Sequence, residues 1–273
     1  MSADGYHDHP ALSSSGARKL LPPSCPARFR WERDNPPPPR AIFDFGHAAH
    51  RFVLGKGEDI VRIDAPDWRT KDAKEKRDDA RAMGLVPVLA ADYDAAQAMA
   101  DVLHADSLAA PLFTDGEPEV ARFWTDPETG TDLRTRFDWL PSLYAGGPIV
   151  VPEYKTAVSA EPGEFRRAAA RYGYHQQAAW YLDTLAAEGV EDARFVFVVQ
   201  EKTPPYLVTV VELDVMALQI GRHRNRQAID LYARCVADDH WPGYADDVVS
   251  VSLPAWAEAE YLDDVAPADI EVV

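Results

Sequence analysis

The chain has 273 residues, 47% of them hydrophobic, so it is long enough to bury a sizeable core. No stretch approaches the roughly 18 apolar residues that a membrane-spanning helix requires, so no membrane partner is expected. Its only cysteines, Cys25 and Cys235, exclude a disulfide framework and a four-thiolate metal site. The first ten residues lack the features of a signal peptide, and we therefore expect a reduced, cytoplasmic protein.

The formal net charge of −17 is unevenly distributed along the chain. Residues 245–273 contain eight acids and no Lys or Arg, which predicts an acidic C-terminal tail after a single domain spanning residues 1–244. Removing these eight charges leaves −9, so the remaining body is still acidic. Such a body repels nucleic acid, and any binding of nucleic acid would have to concentrate in a local basic groove.

The first 115 residues have mainly helical patterns. Serines at the start of Ser13–Leu21 suit a helix cap, and the proline run within Asn35–Arg40 predicts an extended loop. An amphipathic helix over Ile42–Leu54 is predicted to end at Gly55. A polar mixed-charge stretch and two alanine-rich helical patterns follow, at residues 67–81, 92–104 and 107–113.

Alternating patterns dominate the following core, residues 116–244. Three strands in hairpin-like connection are predicted at Glu119–Trp124, Asp132–Leu140 and Pro148–Tyr154, with a turn at Ala145–Gly147. Next come a long helix, two strands and a last helix, at Pro162–Glu188, Arg194–Glu201, Tyr206–Leu213 and Val215–Asp238. This order predicts one α/β domain with a mixed sheet and a helical N-terminal part.

Three charged residues of the predicted strands form a candidate site. Asp138 and Glu153 lie on adjacent strands if the hairpin forms, and Glu153 and Lys155 share one face because side chains alternate. Carboxylate oxygens hold Mg²⁺, which lowers the pKa of an attacking water, and an ammonium can offset developing negative charge. The combination is therefore typical of phosphodiester hydrolysis.

The acid-x-Lys triplet is weak by itself. With 45 acids and seven lysines, about one such triplet is expected by chance, and Asp72-Ala73-Lys74 is a second example. A solvated strand end with an incidental ion pair is the alternative.

On the long helix, Arg167, Arg171, Tyr174 and Tyr181 share one face with Gln177 at its edge. This stripe could grip phosphates, or it could be ordinary helix surface and core.

These residues together resemble the RecE, or exodeoxyribonuclease VIII, nucleases of the PD-(D/E)xK superfamily, to which the RecB nuclease domain and lambda exonuclease also belong. The resemblance rests first on Arg-x-Asp (136–138), Glu-x-Lys (153–155) and the helix sequence of residues 172–181. It continues nearly end to end, through Tyr6-His7, Leu12–Ser15, Phe45–His50, Arg69–Lys74, Glu119, Phe123-Trp124, Glu201–Tyr206 and Trp241–Tyr244.

The resemblance implies a restriction-endonuclease-like core, with a mixed central sheet flanked by helices, and a role for each matching residue. The implied metal ligands are His50, Asp138, Glu153 and the backbone carbonyl of Tyr154, with Glu119 as a further acid near the metal. Lys155 would be the catalytic lysine, supported by the pair Gln177 and Tyr181. One departure is Glu153, since the family more often has Asp there.

The implied activity is 5′-to-3′ digestion of linear duplex DNA in recombination, by a phage-type exodeoxyribonuclease with one or two Mg²⁺ or Mn²⁺ ions. A ring-shaped homo-oligomer and a single-strand annealing protein are the implied partners besides DNA. The candidate DNA-binding residues are Arg69, Lys71, Lys74, Arg136, Arg167, Arg171 and Tyr174.

Other interpretations remain open at this point. His50 could be a packed or capping histidine of a helix. A RecB-like nuclease of single strands is one alternative, whereas a CRISPR-adaptation nuclease usually has four cysteines. A catalytically silent DNA-end-binding or scaffold protein is another, although such a protein has no chemical reason to keep Asp138, Glu153 and Lys155. A helicase-associated accessory module would need a motor on another chain, because the sequence contains no P-loop.

Overall fold

The computed structural model describes residues 5–6, 8–36, 41–142 and 149–264, apart from the side chains of residues 41, 42, 260 and 262–264. The N-terminal part contains β1 (Leu12–Ser13), α1 (Ser14–Leu20), α2 (Pro26–Asp34), α3 (Ala41–Leu54), β2 (Ile60–Ile63), α4 (Lys71–Ala82), β3 (Val86–Leu89), α5 (Ala90–Ala105) and a 3₁₀ helix (Ala110–Phe113). The rest contains β4 (Gly116–Thr125), β5 (Asp132–Pro141), β6 (Ile149–Ala157), α6 (Pro162–Tyr172), α7 (Tyr174–Ala187), β7 (Ala193–Glu201), β8 (Val208–Glu212), α8 (Val215–Ala237) and α9 (Ala255–Asp264).

Capping residues define several helix ends where the sequence predicts them. The Ser13 hydroxyl accepts a hydrogen bond from the Gly16 amide at 3.1 Å and starts α1. Gly55, with φ +70°, follows the last residue of α3. The mixed-charge stretch is also helical, because Thr70 caps α4 through the Ala73 amide at 3.2 Å. Helix α2 and strands β2 and β3 were not predicted; these strands have only four residues each.

The strands form parallel and antiparallel ladders, which confirms the predicted mixed α/β architecture. One sheet has the order β1-β5-β4, with β4 and β5 antiparallel as predicted. In another, β7 pairs in parallel with β6 and antiparallel with β8, and a parallel β2-β3 pair stands apart. The predicted hairpin between β5 and β6 is wrong for the described residues: no ladder joins these strands, and the Tyr154 amide donates instead to the Asp138 carboxylate at 3.0 Å. The predicted turn at Ala145–Gly147 lies outside the described residues, as does most of the proline loop.

The predicted long helix is two helices, α6 and α7, separated at Gly173. This glycine has the left-handed angles φ +69° and ψ +35°, which end one helix and change the direction of the next. The Arg18 side chain donates to the Tyr172 carbonyl at 2.6 Å and so caps the end of α6. Arg167 and Arg171 are therefore on a different helix from Gln177, and the single stripe predicted from the sequence is divided.

Two hydrophobic clusters form the core, and the central strands contribute to both. The first lies between the sheets and helices α1, α2, α7 and α8 and includes Phe137 and Val151. The second lies under α3 and α5 and includes Trp139 and Tyr154. Strands β5 and β6 contribute side chains to both clusters. Residues between these core positions, such as Asp138 and Glu153, therefore lie where the two clusters meet. Among the described residues, no helix has the length and apolar character needed to cross a membrane.

Candidate active site

Helix α3 and strands β5 and β6 carry three of the predicted metal ligands, and the structure brings two of them, His50 and Asp138, within 4 Å of each other. His50 Nδ1 lies 3.6 Å from Asp138 Oδ2, the oxygen that accepts the Tyr154 amide. The Tyr154 ring packs edge-on against the His50 imidazole, with centroids 4.9 Å apart. Tyr154 is in turn fixed by its hydroxyl, which donates to Gln200 Oε1 at 2.7 Å. The position of His50 therefore depends on packing against the strand that carries Glu153.

The Glu153 carboxylate is held in place by the side chains of two neighbouring residues. Its Oε1 accepts hydrogen bonds from Lys155 Nζ at 2.6 Å and from Gln177 Nε2 at 2.5 Å. Its Oε2 is buried and has no hydrogen-bond partner in the described structure. A buried carboxylate oxygen without a partner carries a large desolvation cost, which a cation can remove.

Burial and neighbouring charges shift the protonation of these groups. Burial raises the pKa of Asp138 to about 6, although Lys155 acts in the opposite direction. Burial and the nearby Asp138 raise the pKa of Glu153. Burial lowers the pKa of Lys155, but the two carboxylates outweigh it and the net shift is upward. For His50, burial and Lys155 lower the pKa well below its ordinary value, which favours the neutral imidazole that can bind a metal.

A second layer of side chains surrounds this group. Glu119 Oε2 pairs with Arg136 Nε at 2.7 Å, and burial raises the pKa of Glu119. Glu119 has a φ of +57°, a left-handed conformation that costs a non-glycine residue about 1–3 kcal/mol and recurs at functional sites. The Tyr181 hydroxyl donates to the Arg136 carbonyl at 2.8 Å, which ties α7 to β5. Glu119 and Tyr181 therefore adjoin the site through Arg136.

A cavity of about 210 Å³ opens beside Asp138. Guanidinium groups from two elements line it, Arg18 on α1 and Arg134 with Arg136 on β5. The buried Ser14 hydroxyl, also in its wall, has no hydrogen-bond partner in the described structure. Three arginines and an unpaired hydroxyl outweigh the one carboxylate in its wall, Asp138, so the cavity is chemically suited to an anion.

Sequence reasoning assigned no role to three of these cavity residues, Ser14, Arg18 and Arg134. Period-two alternation on β5 places Arg134, Arg136 and Asp138 on one face, so Arg134 could have been found. Ser14 and Arg18 are four residues apart and share a helix face. Their closeness to β5 depends on long-range packing, which no local pattern contains.

Other predicted DNA-binding residues lie away from the carboxylates. Arg69 and Lys71 are exposed and have acidic neighbours of their own, and Lys74 is exposed on the same helix. On α6, Arg167 pairs with Glu164, and Arg171 lies over the exposed Tyr172 ring. No contact in the described part of the chain joins these five cations to Asp138, Glu153 or Lys155. Tyr174 differs from them, because its ring lies beside Lys155 Nζ, 5.5 Å from the centroid.

The donor set fits the metal ion that the family resemblance implies. Two carboxylates, of which Glu153 is buried with an unpartnered oxygen, and a neutral imidazole are ligands that Mg²⁺ or Mn²⁺ accepts. The side chains do not form a complete metal-binding site in this arrangement. Within the described ranges, no three His, Cys, Asp or Glu residues lie close enough together to coordinate one ion. Lys155, paired with Glu153, contributes the local positive charge.

The chain is similar to one family of known proteins and to several solved structures. Residues 13–253 match the model of a PDDEXK-like domain of unknown function (DUF3799). A solved structure named "Putative exonuclease", from Eubacterium rectale, is similar with a TM-score of 0.63 and 12% identity, over 94% of this chain and 95% of that one. A phage related exonuclease from Haemophilus somnus 129PT is 11% identical over 85% of this chain and 97% of that one, with a TM-score of 0.33.

No curated protein matches the chain at a significant level. The family model nevertheless covers most of the sequence, from α1 through the last core helix, and includes every candidate ligand. The predicted restriction-endonuclease-like α/β fold is thereby confirmed. The chain belongs to the PDDEXK-like family DUF3799, within the PD-(D/E)xK superfamily.

Proposed function

We propose that the protein is a metal-dependent nuclease that hydrolyses DNA phosphodiester bonds. The observation that carries the proposal is the buried Glu153, paired with Lys155 and with its Oε2 unpartnered, beside the largely buried Asp138. Membership of a PDDEXK-like family supports it, as does the exonuclease name of the similar Eubacterium rectale structure. A solvated strand end would not combine a buried acid with a second acid and a lysine that are both mostly shielded from water.

Asp138, Glu153, His50 and the Tyr154 carbonyl would hold one or two Mg²⁺ or Mn²⁺ ions. A bound ion would lower the pKa of an attacking water and neutralise charge on the phosphate. The chain's own groups have distinct roles beside it. Gln177 orients Glu153 through its amide, and the Lys155 ammonium positions the water or offsets negative charge that develops on the phosphate.

We further propose that cleavage proceeds from 5′ ends of linear duplex DNA. The cavity beside Asp138 supports this part, because its three arginines suit a terminal phosphate with a charge of about −1.5 to −2 at pH 7. A terminal phosphate bound there would lie next to the carboxylates. Arg69, Lys71, Lys74, Arg167 and Arg171 would contact the duplex backbone farther from the cut, where exposed cations position DNA without reading sequence.

The RecE resemblance extends the proposal to recombination, with a phage origin, a ring-shaped homo-oligomer and a single-strand annealing protein as partner. A closed ring around duplex DNA would retain the substrate between successive cuts. Its observable consequence is a mass in solution of three or more times the 30.3 kDa of one chain, because a closed ring needs at least about three subunits. Sedimentation of the purified full-length chain measures this directly, and a purely monomeric chain would contradict the ring.

Digestion of end-labelled linear duplex DNA tests the proposed activity. With Mg²⁺, label should leave the 5′ ends of linear DNA while closed circular DNA survives and EDTA blocks the reaction. A 5′-phosphorylated end should be degraded faster than a 5′-hydroxyl end, and Arg134→Gln should reduce that difference. If linear and circular DNA both survive with Mg²⁺ and Mn²⁺, the catalytically silent DNA-end-binding protein becomes the better account.

A further inference from the structure

The ring of Tyr174 covers the ammonium of Lys155 and is itself fixed from other sides. Lys155 Nζ lies 5.5 Å from the ring centroid. The Phe165 ring stacks on Tyr174 at 5.7 Å with an interplanar angle of 21°, and Phe197 packs at 5.4 Å with an angle of 32°. Tyr174 is the first residue of α7, directly after the break at Gly173. Helix α6, strand β7 and the helix break thus hold one aromatic ring against the lysine.

We propose that Tyr174 is a positioning residue whose ring face keeps the Lys155 ammonium beside the carboxylates. The proposal rests on the nuclease function above, in which Lys155 takes part in cleavage. The described contacts give this ammonium two partners, the Glu153 carboxylate at 2.6 Å and the Tyr174 ring. When a bound cation shares the charge of Glu153, the ring remains as a fixed partner of the lysine.

The environment favours such a contact. The Lys155 side chain is only 21% exposed, and attraction between a cation and the negative face of an aromatic ring strengthens as water is excluded. The predicted phosphate stripe gave Tyr174 a different role, as a ligand of DNA. The geometry of Tyr174 favours the positioning role, because its half-buried ring contacts a lysine of the site and two phenylalanines of the core.

Kinetics of substituted proteins distinguish these roles. Tyr174→Phe keeps the ring and should leave kcat close to that of the parent. Tyr174→Leu removes the ring and should lower kcat about 3- to 30-fold, with KM and its salt dependence unchanged. Tyr261→Leu is the control, because this tyrosine ring is exposed on α9 and lies outside the proposed site. It should leave kcat unchanged.

A series of fluorinated phenylalanines at position 174 removes the remaining ambiguity if Tyr174→Leu folds poorly. Each added fluorine weakens the negative ring face with little change in shape, so kcat should fall stepwise from phenylalanine to trifluorophenylalanine. A flat series, or a rise in KM and a changed salt dependence in its place, would overturn the positioning role while leaving the nuclease intact. Absence of cleavage by the parent protein would instead overturn the nuclease function itself, and this inference with it.

Discussion

At the scale of single residues, the site combines charges that burial disfavours. Asp138 and Glu153 both have a raised pKa, and Lys155 offsets their repulsion only in part. The apoprotein therefore holds negative charge at neutral pH that a divalent cation would neutralise. Because an ion that binds the folded state alone stabilises it, metal binding and folding stability should be coupled at these two carboxylates.

The pH dependence of stability tests the buried Asp138. Its folded-state pKa of about 6 lies above the ordinary value of 3.8, so its contribution to stability is complete below about pH 4 and is lost as the pH rises through 6. We predict that this one group removes about 1–3 kcal/mol of the apoprotein's unfolding free energy between pH 4 and 7. Asp138→Asn should lack that loss, as measured by urea unfolding in EDTA.

Mn²⁺ provides the complementary measurement. Since the metal displaces the proton from Asp138, Mn²⁺ should restore the parent's stability most strongly above pH 6 and should have little effect on Asp138→Asn. Unfolding curves of the two proteins that change in parallel with pH would contradict a raised pKa at this position.

At the scale of elements, the break between α6 and α7 orients Tyr174 and Gln177 of α7 towards Lys155 and Glu153. In a continuous helix, the orientation of the Tyr174 and Gln177 side chains would follow from the rotation of α6 about its axis. The break at Gly173 gives α7 a different direction, so these side chains take a different orientation. The φ of +69° needs a glycine, and a Cβ there would lie 2.6 Å from Arg18 Cδ. Arg18 also lines the cavity beside Asp138, so the break and the cavity share one residue.

We predict that Gly173→Ala lowers the unfolding free energy by about 1–3 kcal/mol, from backbone strain and the contact with Arg18. Two controls separate these causes by thermal denaturation. Gly189→Ala meets the strain of φ +86° without a neighbour within 4 Å and should cost less. Gly46→Ala, inside α3 with open space around it, should be neutral or stabilising by up to about 1 kcal/mol. Equal losses at Gly173 and Gly46 would contradict this account.

The sequence predicted the parts of the site that depend on local geometry. Alternation along a strand places Glu153 and Lys155 on one face, and the structure joins them at 2.6 Å. It did not predict the break at Gly173, because a glycine within a helical pattern is also compatible with a continuous helix. Nor did it predict that Arg18 reaches the Tyr172 carbonyl, since 154 residues separate them and only tertiary packing brings them together.

At the scale of the whole molecule, the site lies where the two hydrophobic clusters meet, and no described residue of the acidic C-terminal segment belongs to either cluster. Described residues of this segment, such as Val248 and Trp256, are exposed, whereas Trp241 packs on Phe29 with centroids 5.8 Å apart. We propose that residues 1–244 form one domain and that the tail adds charge without adding to the core. An acidic segment near a DNA-binding surface weakens attraction at low salt.

Truncation tests this division of the chain. A protein ending at Tyr244 keeps Trp241 and the bond from the Ala27 amide to the Pro242 carbonyl, so its unfolding free energy should stay within about 0.5 kcal/mol of the parent. Its KM for DNA should fall at low salt, because eight negative charges are removed. A protein ending at residue 240 loses these contacts and should unfold at a lower temperature. Large destabilisation by the cut after Tyr244 would show that the tail belongs to the folded domain.

Cleavage by Lys155→Ala tests the central claim most directly. Linear duplex DNA is incubated with Mg²⁺ and with the parent, Lys155→Ala or Lys76→Ala protein, the last replacing an exposed lysine outside the site. Lys155→Ala should cleave at least about 100-fold more slowly while remaining folded and keeping most of its Mn²⁺ binding, and Lys76→Ala should match the parent. Normal cleavage by a folded Lys155→Ala protein would contradict the assignment of the active site to Asp138, Glu153 and Lys155.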